Sequence, residues 1–243
     1  MESFTANLHI HTVLSPCGDI VMTPANIIKT AVNKGLDIIA IADHNSAKNV
    51  AVTMELSQKE DLTVIPGMEV ESKEEVHLLC LFSELEGVLQ WQEIVYDNLP
   101  DLENDEEFFG PQLITDINDE FIAREKRLLL TAVNLTIKEI ITEVRKLGGI
   151  VIPAHIDKTN NSILSNLGFI PPELQLLAVE ITSKEKINSV NAKIGKQYQY
   201  IVNSDAHYLK NIRPTMNLKI KKPKLEEIVD VLREKRDKTL KLL

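Results

Sequence analysis

The chain has 243 residues, of which 44% are apolar and 26% are charged, a profile typical of soluble globular proteins. This length fits one α/β barrel domain, and the longest apolar runs fall far short of the ~20 residues that span a bilayer. The net charge of −9, from 27 basic and 36 acidic residues, argues against a long groove that follows nucleic-acid phosphates.

The first part of the chain is predicted to alternate between strands and helices. One helix should begin at Thr23-Pro24, with Thr23 as N-cap and Pro24 at the first helical position, and end at Gly35. A second helix is expected over 50–59. Short apolar runs rich in β-branched residues predict strands over 7–10, 37–42, 62–66 and 76–82.

The alternation resumes after residue 135. Thr136 and Glu139 have the spacing of a capping box, which predicts a helix that ends at Gly148-Gly149. Strands are expected over 150–154, 176–181 and 198–202, and helices over 183–196 and 224–236. This order of elements indicates a parallel sheet or a closed barrel.

One segment, residues 98–135, interrupts this alternation and is treated as an insertion in a single domain that covers residues 1–243. Its first part, 98–119, is acidic and aperiodic, and it leads into a charged helix predicted over 120–130. The insertion is either a solvent-exposed surface loop or a lid over the mouth of the barrel. The second alternative is considered because long loops in compact domains are often lids.

Histidines and carboxylates recur at the predicted strand ends, which is where α/β folds assemble their sites. His9 and His11 are two residues apart and therefore point to the same face of a strand, where they can chelate one ion. Imidazoles and carboxylates together suit zinc, iron or manganese. The six histidines are His9, His11, His44, His77, His155 and His207, and the carboxylates beside them are Asp43, Glu69 and Asp205.

The motifs around these residues resemble those of the PHP (polymerase and histidinol phosphatase) domain. They are His9-Ile-His11, Ala42-Asp43-His44-Asn45, Gly67-Met68-Glu69, His77, Pro153-Ala154-His155 and Ser204-Asp205-Ala206-His207. They occur in the family's order and span residues 9 to 207. The resemblance implies a distorted (β/α)7 TIM-like barrel, two to three divalent ions (zinc, manganese or iron) and phosphoesterase activity.

The resemblance also implies a role for each candidate ligand. One ion would be held by His9, His11, Glu69 and Asp205, a second by Glu69, His77 and His155, and a third by His44 and His207. The remaining ligand of the third ion is expected to be Asp19, the only carboxylate in the loop after His11. Cys17 in the same loop is a rival ligand.

Three further residues are candidates for catalytic roles. Asp43 is expected to orient a metal-bound imidazole rather than to bind metal itself. Lys158 and Arg213 are expected to bind the phosphate where the metals do not. Each of the three has a plainer alternative: a turn carboxylate for Asp43, and solvated surface charges for Lys158 and Arg213.

The expected reaction is hydrolysis of a small phosphate monoester, such as a nucleotide, a sugar phosphate or a histidinol-phosphate-like compound, by a metal-activated hydroxide. A nuclease or oligonucleotide-processing enzyme with the same metals is the main alternative. A metal-dependent amidohydrolase is less favoured, because no middle strand carries a candidate for a carbamylated lysine. A non-catalytic regulatory domain is disfavoured by the complete ligand set.

The same observations predict the binding partners and the cellular location of the protein. We expect a small phosphorylated partner, no membrane association and no long nucleic-acid groove. The start of the chain lacks the features of an export signal, and Cys17 and Cys80 are too few for a disulfide framework. A cytoplasmic location is therefore expected.

Overall fold

The computed structural model describes residues 1–234 and 239–243, and its strands form a curled central sheet with two smaller pairs. The strands are β1 (Glu2–Ile10), β2 (Ile38–Ile41), β3 (Thr63–Glu71), β4 (His77–Leu81), β5 (Leu113–Thr115), β6 (Phe121–Arg124), β7 (Ile150–Pro153), β8 (Ala178–Ile181), β9 (Gln199–Val202), β10 (Met216–Ile220) and β11 (Leu240–Leu242). The order in the central sheet is β11-β10-β1-β2-β3-β4-β7.

The helices lie mainly between these strands. They are α1 (Pro24–Asn33), α2 (Val50–Ser57), α3 (Leu85–Asn98), α4 (Glu106–Phe109), α5 (Ile137–Lys146), α6 (Ile163–Asn166), α7 (Ile187–Ile194) and α8 (Leu225–Glu234). Short 3-10 turns cover Pro172–Leu174, Lys184–Lys186 and Leu209–Asn211. None of the described helices combines the length and apolar character needed to cross a membrane.

The direction of the strands changes within the central sheet. β1, β2 and β3 are parallel, whereas β4 runs antiparallel to both β3 and β7. β8 and β9 form a separate parallel pair, and Ile10 at the end of β1 bridges to Ala206 just after β9. The predicted α/β class is confirmed, but the reversal at β4 and the break between β7 and β8 depart from a regular (β/α)7 barrel.

β2 separates two apolar layers, as expected for a strand covered on both faces. All four of its residues are buried. Ile39 and Ile41 pack in the layer that includes Trp91 of α3, whereas Ile38 and Ala40 pack in the layer that includes α8. This alternation follows from the two-residue period of side chains along a strand.

The helix predicted over 120–130 is wrong, because this segment forms part of a β-hairpin. The Asp116 carboxylate accepts hydrogen bonds from the backbone N–H groups of Asn118 (2.8 Å) and Glu120 (3.0 Å). This local turn reverses the chain and pairs β6 with β5. A side chain that competes for backbone hydrogen bonds therefore overrides the charged helical pattern.

The predicted start of α1 is confirmed, with Thr23 as N-cap and Pro24 at the first helical position, but another residue supplies the capping acceptor. Thr23 occupies the N-cap position, but its side chain makes no capping hydrogen bond within the described residues. Instead Asp119, from the hairpin turn of the insertion, accepts hydrogen bonds from the Thr23 hydroxyl and from the backbone N–H of Ala25 (3.0 Å). The insertion thus supplies the acceptor for the first turn of α1.

The insertion is anchored on the loop that follows β2. Its residues Leu113 and Leu129 are buried. Asn49 donates a hydrogen bond to the carbonyl of Leu113 (3.0 Å), and Asn45 donates one to the carbonyl of Leu129 (2.8 Å). The outer part, which includes Phe108 at 79% exposure, faces solvent.

Two strands are longer than predicted, since the strand expected over 7–10 is β1 (Glu2–Ile10) and the one expected over 62–66 is β3 (Thr63–Glu71). The capping box of Thr136 and Glu139 is confirmed at the start of α5. The helix predicted over 183–196 is a 3-10 turn followed by α7. The helix predicted over 224–236 corresponds to α8, and positions 235 and 236 lie outside the described residues.

Candidate metal centre

The candidate ligands meet at one rim of the curled sheet. His9 belongs to β1 and His11 follows it, His44 follows β2, Glu69 belongs to β3, His77 begins β4, His155 follows β7, and Asp205 and His207 follow β9. Parallel strands end at the same edge of a sheet. Because β4 is antiparallel to β3, its first residue and not its last lies at this edge, which brings His77 into the cluster.

Glu69 is the centre of the cluster. Its side chain is 1% exposed, and its carboxylate lies within 3.5 Å of nitrogens from five imidazoles. The distances are 3.4 Å to His9 Nε2, 3.5 Å to His11 Nε2, 3.1 Å to His44 Nδ1, 3.1 Å to His77 Nδ1 and 3.2 Å to His155 Nε2. Burial opposes ionisation, but His77, His9 and His44 hold the pKa of Glu69 well below its usual range.

Asp205 is the second carboxylate of the cluster, at its more open side. Its Oδ1 lies 3.2 Å from His11 Nε2 and 3.6 Å from His9 Nε2. Burial again opposes ionisation, and the nearby His9 and His11 lower the pKa of Asp205 below its usual range. Both carboxylates are therefore ionised among imidazoles.

Two residues of the cluster adopt left-handed backbone conformations. The φ angle is 32° at His155 and 46° at Asp205, although neither residue is a glycine. Such conformations cost of order 1–3 kcal/mol and persist where surrounding contacts enforce them, which is common at functional sites. They are consistent with side chains held in place for binding.

The donor atoms fit divalent cations. Within the described residues, three sets have ligand atoms that all lie within 4.8 Å of one another: His9, His11, Glu69 and Asp205; His44, Glu69 and His77; and His11, His44 and His207. Glu69 Oε2 and His77 Nδ1 are buried, and each lies 3.1 Å from a polar atom of the cluster without the geometry of a hydrogen bond among these residues. Buried polar atoms are normally satisfied, so a cation is the missing partner that these atoms suit.

Glu180, which sequence reasoning missed, supports two of these histidines. It is a buried residue of β8, and its Oε2 lies 3.0 Å from His9 Nδ1. Its Oε1 accepts a hydrogen bond from the backbone N–H of His155 (3.1 Å), and Oε2 accepts one from Asn203 Nδ2 (2.7 Å). Burial lowers the pKa of His9, but Glu180, Glu69 and Asp205 raise it well above the usual value. The only signal in the sequence is a glutamate inside the apolar run 176–181.

Asp43 is connected to His11 through the hydroxyl of Ser15. Ser15 Oγ donates a hydrogen bond to Asp43 Oδ1 (2.7 Å) and lies 3.0 Å from His11 Nδ1. Thr12 donates to the same carboxylate from its backbone N–H and its hydroxyl. Burial raises the pKa of Asp43, and the hydrogen bonds from Ser15 and Thr12 oppose this effect. Its predicted role in orienting an imidazole is compatible with this chain of contacts and remains a prediction.

Asn161, also missed, holds His77. Its Nδ2 lies 2.8 Å from His77 Nε2, and its backbone carbonyl accepts a hydrogen bond from the N–H of His77 (2.9 Å). Asn161 has a φ of 52°, in a region that asparagine tolerates better than most residues. These contacts leave Nδ1 of His77 directed at Glu69.

The two predicted phosphate ligands lie in different surroundings. Lys158 Nζ is 2.5 Å from Asp205 Oδ2, and its side chain is 42% exposed, so it lies at the edge of the cluster. Arg213 is exposed, and its charge acts on Glu185, whose pKa is lowered chiefly by the hydroxyl of Ser183. Only Lys158 of these two has a described contact with a candidate metal ligand.

The two rivals for the third ion also differ. Asp19 belongs to none of the three sets, and its Oδ1 accepts a hydrogen bond from the backbone N–H of Val21 (3.3 Å). Cys17 also belongs to none of the three sets. Burial raises the pKa of its thiol, but the neighbouring His207 and His44 outweigh this effect and lower the pKa to about 6.

The family follows from a comparison of the sequence with known domains. A model of the PHP domain matches residues 7–163. The chain belongs to the PHP family. An uncharacterized protein of Methanocaldococcus jannaschii is 36% identical over 77 residues, which cover 28% of this chain and 45% of that protein.

Solved structures share the PHP fold of this chain. The lesion-specific endonuclease EndoQ from Pyrococcus furiosus superposes with a TM-score of 0.70 at 20% identity, over 99% of this chain and 58% of that one. A putative metal-dependent phosphoesterase from Bifidobacterium adolescentis superposes with a TM-score of 0.54 at 19% identity, over 83% and 87% of the two chains. The PHP chain thus spans little more than half of the EndoQ chain.

A second Endonuclease Q structure contradicts the predicted partners. It is a complex with a 27-mer duplex that has an abasic lesion at the active site, and it superposes with a TM-score of 0.64 at 19% identity over 97% of this chain and 58% of that one. The expectation of a small phosphorylated partner and no nucleic-acid groove is therefore wrong. Net charge describes the whole chain, whereas a phosphate responds to the local charge at the PHP site, including any bound cations.

Proposed function

We propose that this PHP protein is a metal-dependent phosphoesterase that hydrolyses phosphodiester bonds of nucleic acid. The observation that carries this proposal is the buried carboxylate of Glu69 within 3.5 Å of five imidazoles, at the rim of a PHP fold. Membership of the PHP family and the similarity to a phosphoesterase and an endonuclease support hydrolysis of a phosphate ester.

Divalent cations would be held by the candidate ligands described above. These are His9, His11, His44, Glu69, His77, His155, Asp205 and His207, together with one residue of the loop after β1. When bound, such cations neutralise charge on a phosphate and activate water for attack. Zinc, manganese and iron all accept imidazole and carboxylate ligands.

Hydrogen bonds at Nδ1 orient the imidazoles of His9 and His11 for metal binding. Glu180 accepts a hydrogen bond from Nδ1–H of His9, and Ser15 accepts one from Nδ1–H of His11, because the Ser15 hydroxyl already donates to Asp43. Nε2 of each ring faces Glu69, and it would supply its lone pair to a bound cation. Such outer hydrogen bonds fix the tautomer and orientation of a ligating histidine.

Substrate would approach from the side of Asp205. The side chains of His9 and His11 are fully buried, whereas those of Asp205 and His207 are 13% and 19% exposed. Lys158 stands on the same side and can donate hydrogen bonds to a phosphate oxygen. We therefore expect a phosphodiester to approach the centre from this more open edge.

An aromatic side chain at this edge favours a nucleic-acid substrate. Tyr208 directly follows His207 and is 44% exposed. Lys210 Nζ lies 5.2 Å from the centre of its ring, so a cation accompanies the aromatic surface. Exposed aromatic rings with nearby cations bind the bases and phosphates of nucleic acids by stacking and charge. The edge therefore offers contacts beyond the phosphate itself.

Hydrolysis of a defined substrate panel tests this proposal. Protein supplied with manganese, zinc or iron is incubated with single strands, intact duplexes and duplexes with an abasic site. Bis-p-nitrophenyl phosphate serves as a simple diester and p-nitrophenyl phosphate as a simple monoester. We expect cleavage of at least one oligonucleotide, its loss in Asp205→Asn and after chelation, and its return when metal is restored. Metal-loaded protein that hydrolyses only p-nitrophenyl phosphate would contradict the proposal.

A further inference from the structure

Charged side chains are unevenly distributed around the rim that carries the candidate ligands. Residues 184–213 contain six basic and two acidic residues, whereas residues 98–120 of the insertion contain eight acidic residues and no basic one. We propose that a nucleic acid held at the metal centre extends its sugar–phosphate backbone over four basic side chains, called here the basic arc: Lys184, Lys186, Lys210 and Arg213. This inference rests on the proposed function and adds the path that the strand takes across the surface.

The parallel pair of β8 and β9 brings the first half of the basic arc to the rim. Ile181 at the end of β8 pairs with Val202 at the end of β9, so the segments that follow leave the sheet side by side. The segment after β8 carries Lys184 and Lys186 in a 3-10 turn, and the segment after β9 carries the candidate ligand Asp205. The first two cations of the arc therefore lie at the same edge as the metal centre.

Two polar side chains fix the segment that carries the second half of the basic arc. Asn7 Nδ2 donates hydrogen bonds to Ser204 Oγ (2.6 Å) and to the carbonyl of Arg213 (3.0 Å). Lys34 Nζ donates a hydrogen bond to the carbonyl of Lys210 (2.9 Å). These contacts hold the backbone of residues 208–213 beside the end of β9, so its cations are presented from a fixed turn.

The cations of the basic arc are available to an anionic ligand. All four residues are exposed, and none of them forms a salt bridge in the part of the chain that the structure describes. Glu185, the acidic residue within the first turn, accepts a hydrogen bond from the hydroxyl of Ser183. By contrast, Arg124 of the insertion pairs with Glu106. Exposed cations without a salt bridge are the groups that release counterions when they neutralise phosphates.

The insertion occupies another sector of the rim and disfavours a polyanion there. It packs on the loops after β1 and β2: a Cβ atom on Gly110 would lie 2.6 Å from the carbonyl oxygen of Pro16, and Asn49 donates a hydrogen bond to the carbonyl of Leu113. Six of the eight acidic residues in 98–120 are exposed. Like charges in this sector and cations after β8 and β9 favour one path for a strand, which is the path over the basic arc.

Two variants that lose the same number of positive charges test the basic arc. The arc variant combines four substitutions: Lys184→Gln, Lys186→Gln, Lys210→Gln and Arg213→Gln. The control variant combines four others: Lys59→Gln, Lys146→Gln, Lys219→Gln and Lys221→Gln. The control lysines are exposed and lie near the starts of β1, β3 and β7, at the opposite end of the sheet from the candidate ligands. Circular dichroism and metal content verify that both variants fold and bind metal.

Binding of labelled nucleic acid to the full chain is the main measurement. Fluorescence anisotropy is recorded with a single strand and with a duplex that has an abasic site, with EDTA to prevent cleavage and by stopped flow on metal-loaded protein. We expect the arc variant to raise Kd by about 10–100-fold. The slope of log Kd against log salt should become shallower by about 3, because about four phosphate contacts are lost. The control variant should stay within about twofold of the native Kd.

Acetylation of lysines locates the nucleic acid on the native protein without any substitution. Acetic anhydride is applied with and without a bound oligonucleotide, and the modified lysines are identified by mass spectrometry. We expect protection of Lys184, Lys186 and Lys210, and unchanged reaction of Lys59 and Lys146. Protection of the second group alone would place the strand at the other end of the molecule and overturn the inference.

The outcomes separate the basic arc from the proposed function. Equal Kd values for the native protein and the arc variant, or equal increases in both variants, would overturn the arc, and cleavage of an oligonucleotide by the native protein would leave the proposed function intact. Arc-dependent binding without cleavage of any oligonucleotide by metal-loaded protein would overturn the proposed function and support the arc as a binding surface. Absence of binding by the metal-loaded native protein would overturn the inference.

Discussion

Nδ1 of His9 lies 3.0 Å from Oε2 of Glu180, and neither side chain is more than 2% exposed. The same carboxylate accepts hydrogen bonds from the backbone of His155 and the side chain of Asn203. It therefore connects the ends of β1, β7 and β9 across the break between β7 and β8. A single buried carboxylate both orients a candidate ligand and joins strands that share no backbone ladder.

Removal of the charge of Glu180 should weaken metal binding. We expect Glu180→Gln to lower metal affinity by about 10–100-fold, because the partner that fixes the tautomer of His9 is lost. Isothermal titration with zinc measures the change. Glu125→Gln is the control, since Glu125 is equally a buried carboxylate but pairs with Lys48 outside the cluster. Equal losses of zinc affinity in the two variants would show that the loss comes from changing any buried carboxylate. It would then not depend on the contact between Glu180 and His9.

Glu69→Gln should be more damaging than Glu180→Gln. An amide cannot neutralise the cations that five surrounding imidazoles help to hold, so we expect loss of bound metal beyond the about 10–100-fold typical of outer partners. Elemental analysis gives the metal content, and circular dichroism verifies the fold. Normal metal content and turnover in Glu69→Gln would show that this carboxylate does not bridge two cations.

Lys158 should affect substrate more than metal. Its Nζ is 2.5 Å from Asp205 and partly exposed, so we expect Lys158→Ala to raise KM for an oligonucleotide by about tenfold, the value of one charge-assisted hydrogen bond. Metal content should be unchanged. Lys146→Ala is the matched control, because that exposed lysine pairs with Glu143 on α5. Similar KM values for the two variants would remove Lys158 from the phosphate site.

Chelation should lower thermal stability. Cations that bind the folded state alone stabilise it by about 2.7 kcal/mol at 100 times their Kd, which is a Tm change of about 5–10 °C for a protein of this size. Differential scanning calorimetry with and without EDTA measures the change. An Asp205→Asn protein should show a smaller response, and an identical response in both proteins would place the stabilising cations elsewhere.

Asp119 should contribute to the stability of α1 from outside that helix. It accepts a hydrogen bond from Ala25 N (3.0 Å), so Asp119→Ala removes a cap and should cost about 1 kcal/mol, or about 2–4 °C in Tm. Asp105→Ala removes the cap of the short exposed helix α4 and should cost less. Denaturant titration of both variants measures the difference, and a larger effect at Asp105 would contradict the assignment.

Much of the fold could be predicted from local patterns. The apolar run of β2, the capping box of α5 and the short strands β7 and β9 each carry a signal within a few residues. The gathering of histidines at strand ends was equally visible, because the pattern His9-Ile-His11 is local and the family motifs extend it. The proximity of the six histidines and Glu69 is a property of the observed fold.

The rest depends on contacts between distant residues. Glu180 gave no signal of its role because its partners, His9 and His155, come from other strands. Asn161 resembles any polar loop residue until its contact with His77 is known. The hairpin at Asp116 was missed because a side-chain hydrogen bond to the backbone decides between a helix and a turn. The net charge was misleading because it sums over the chain and ignores where charges lie.

The reversal between β3 and β4 makes the length of one turn a determinant of the position of His77 in the cluster. Glu71 pairs with His77, and residues 72–76 connect the two strands through a turn in which Glu75 has a φ of 57°. Successive side chains of a strand point to opposite faces, so a slip of β4 by one residue would turn His77 away from Glu69. A homologue or designed variant with one residue added to this turn should therefore need a compensating bulge in β4 to keep its ligand, which makes this turn a poor place for tags, loop grafts or domain insertions.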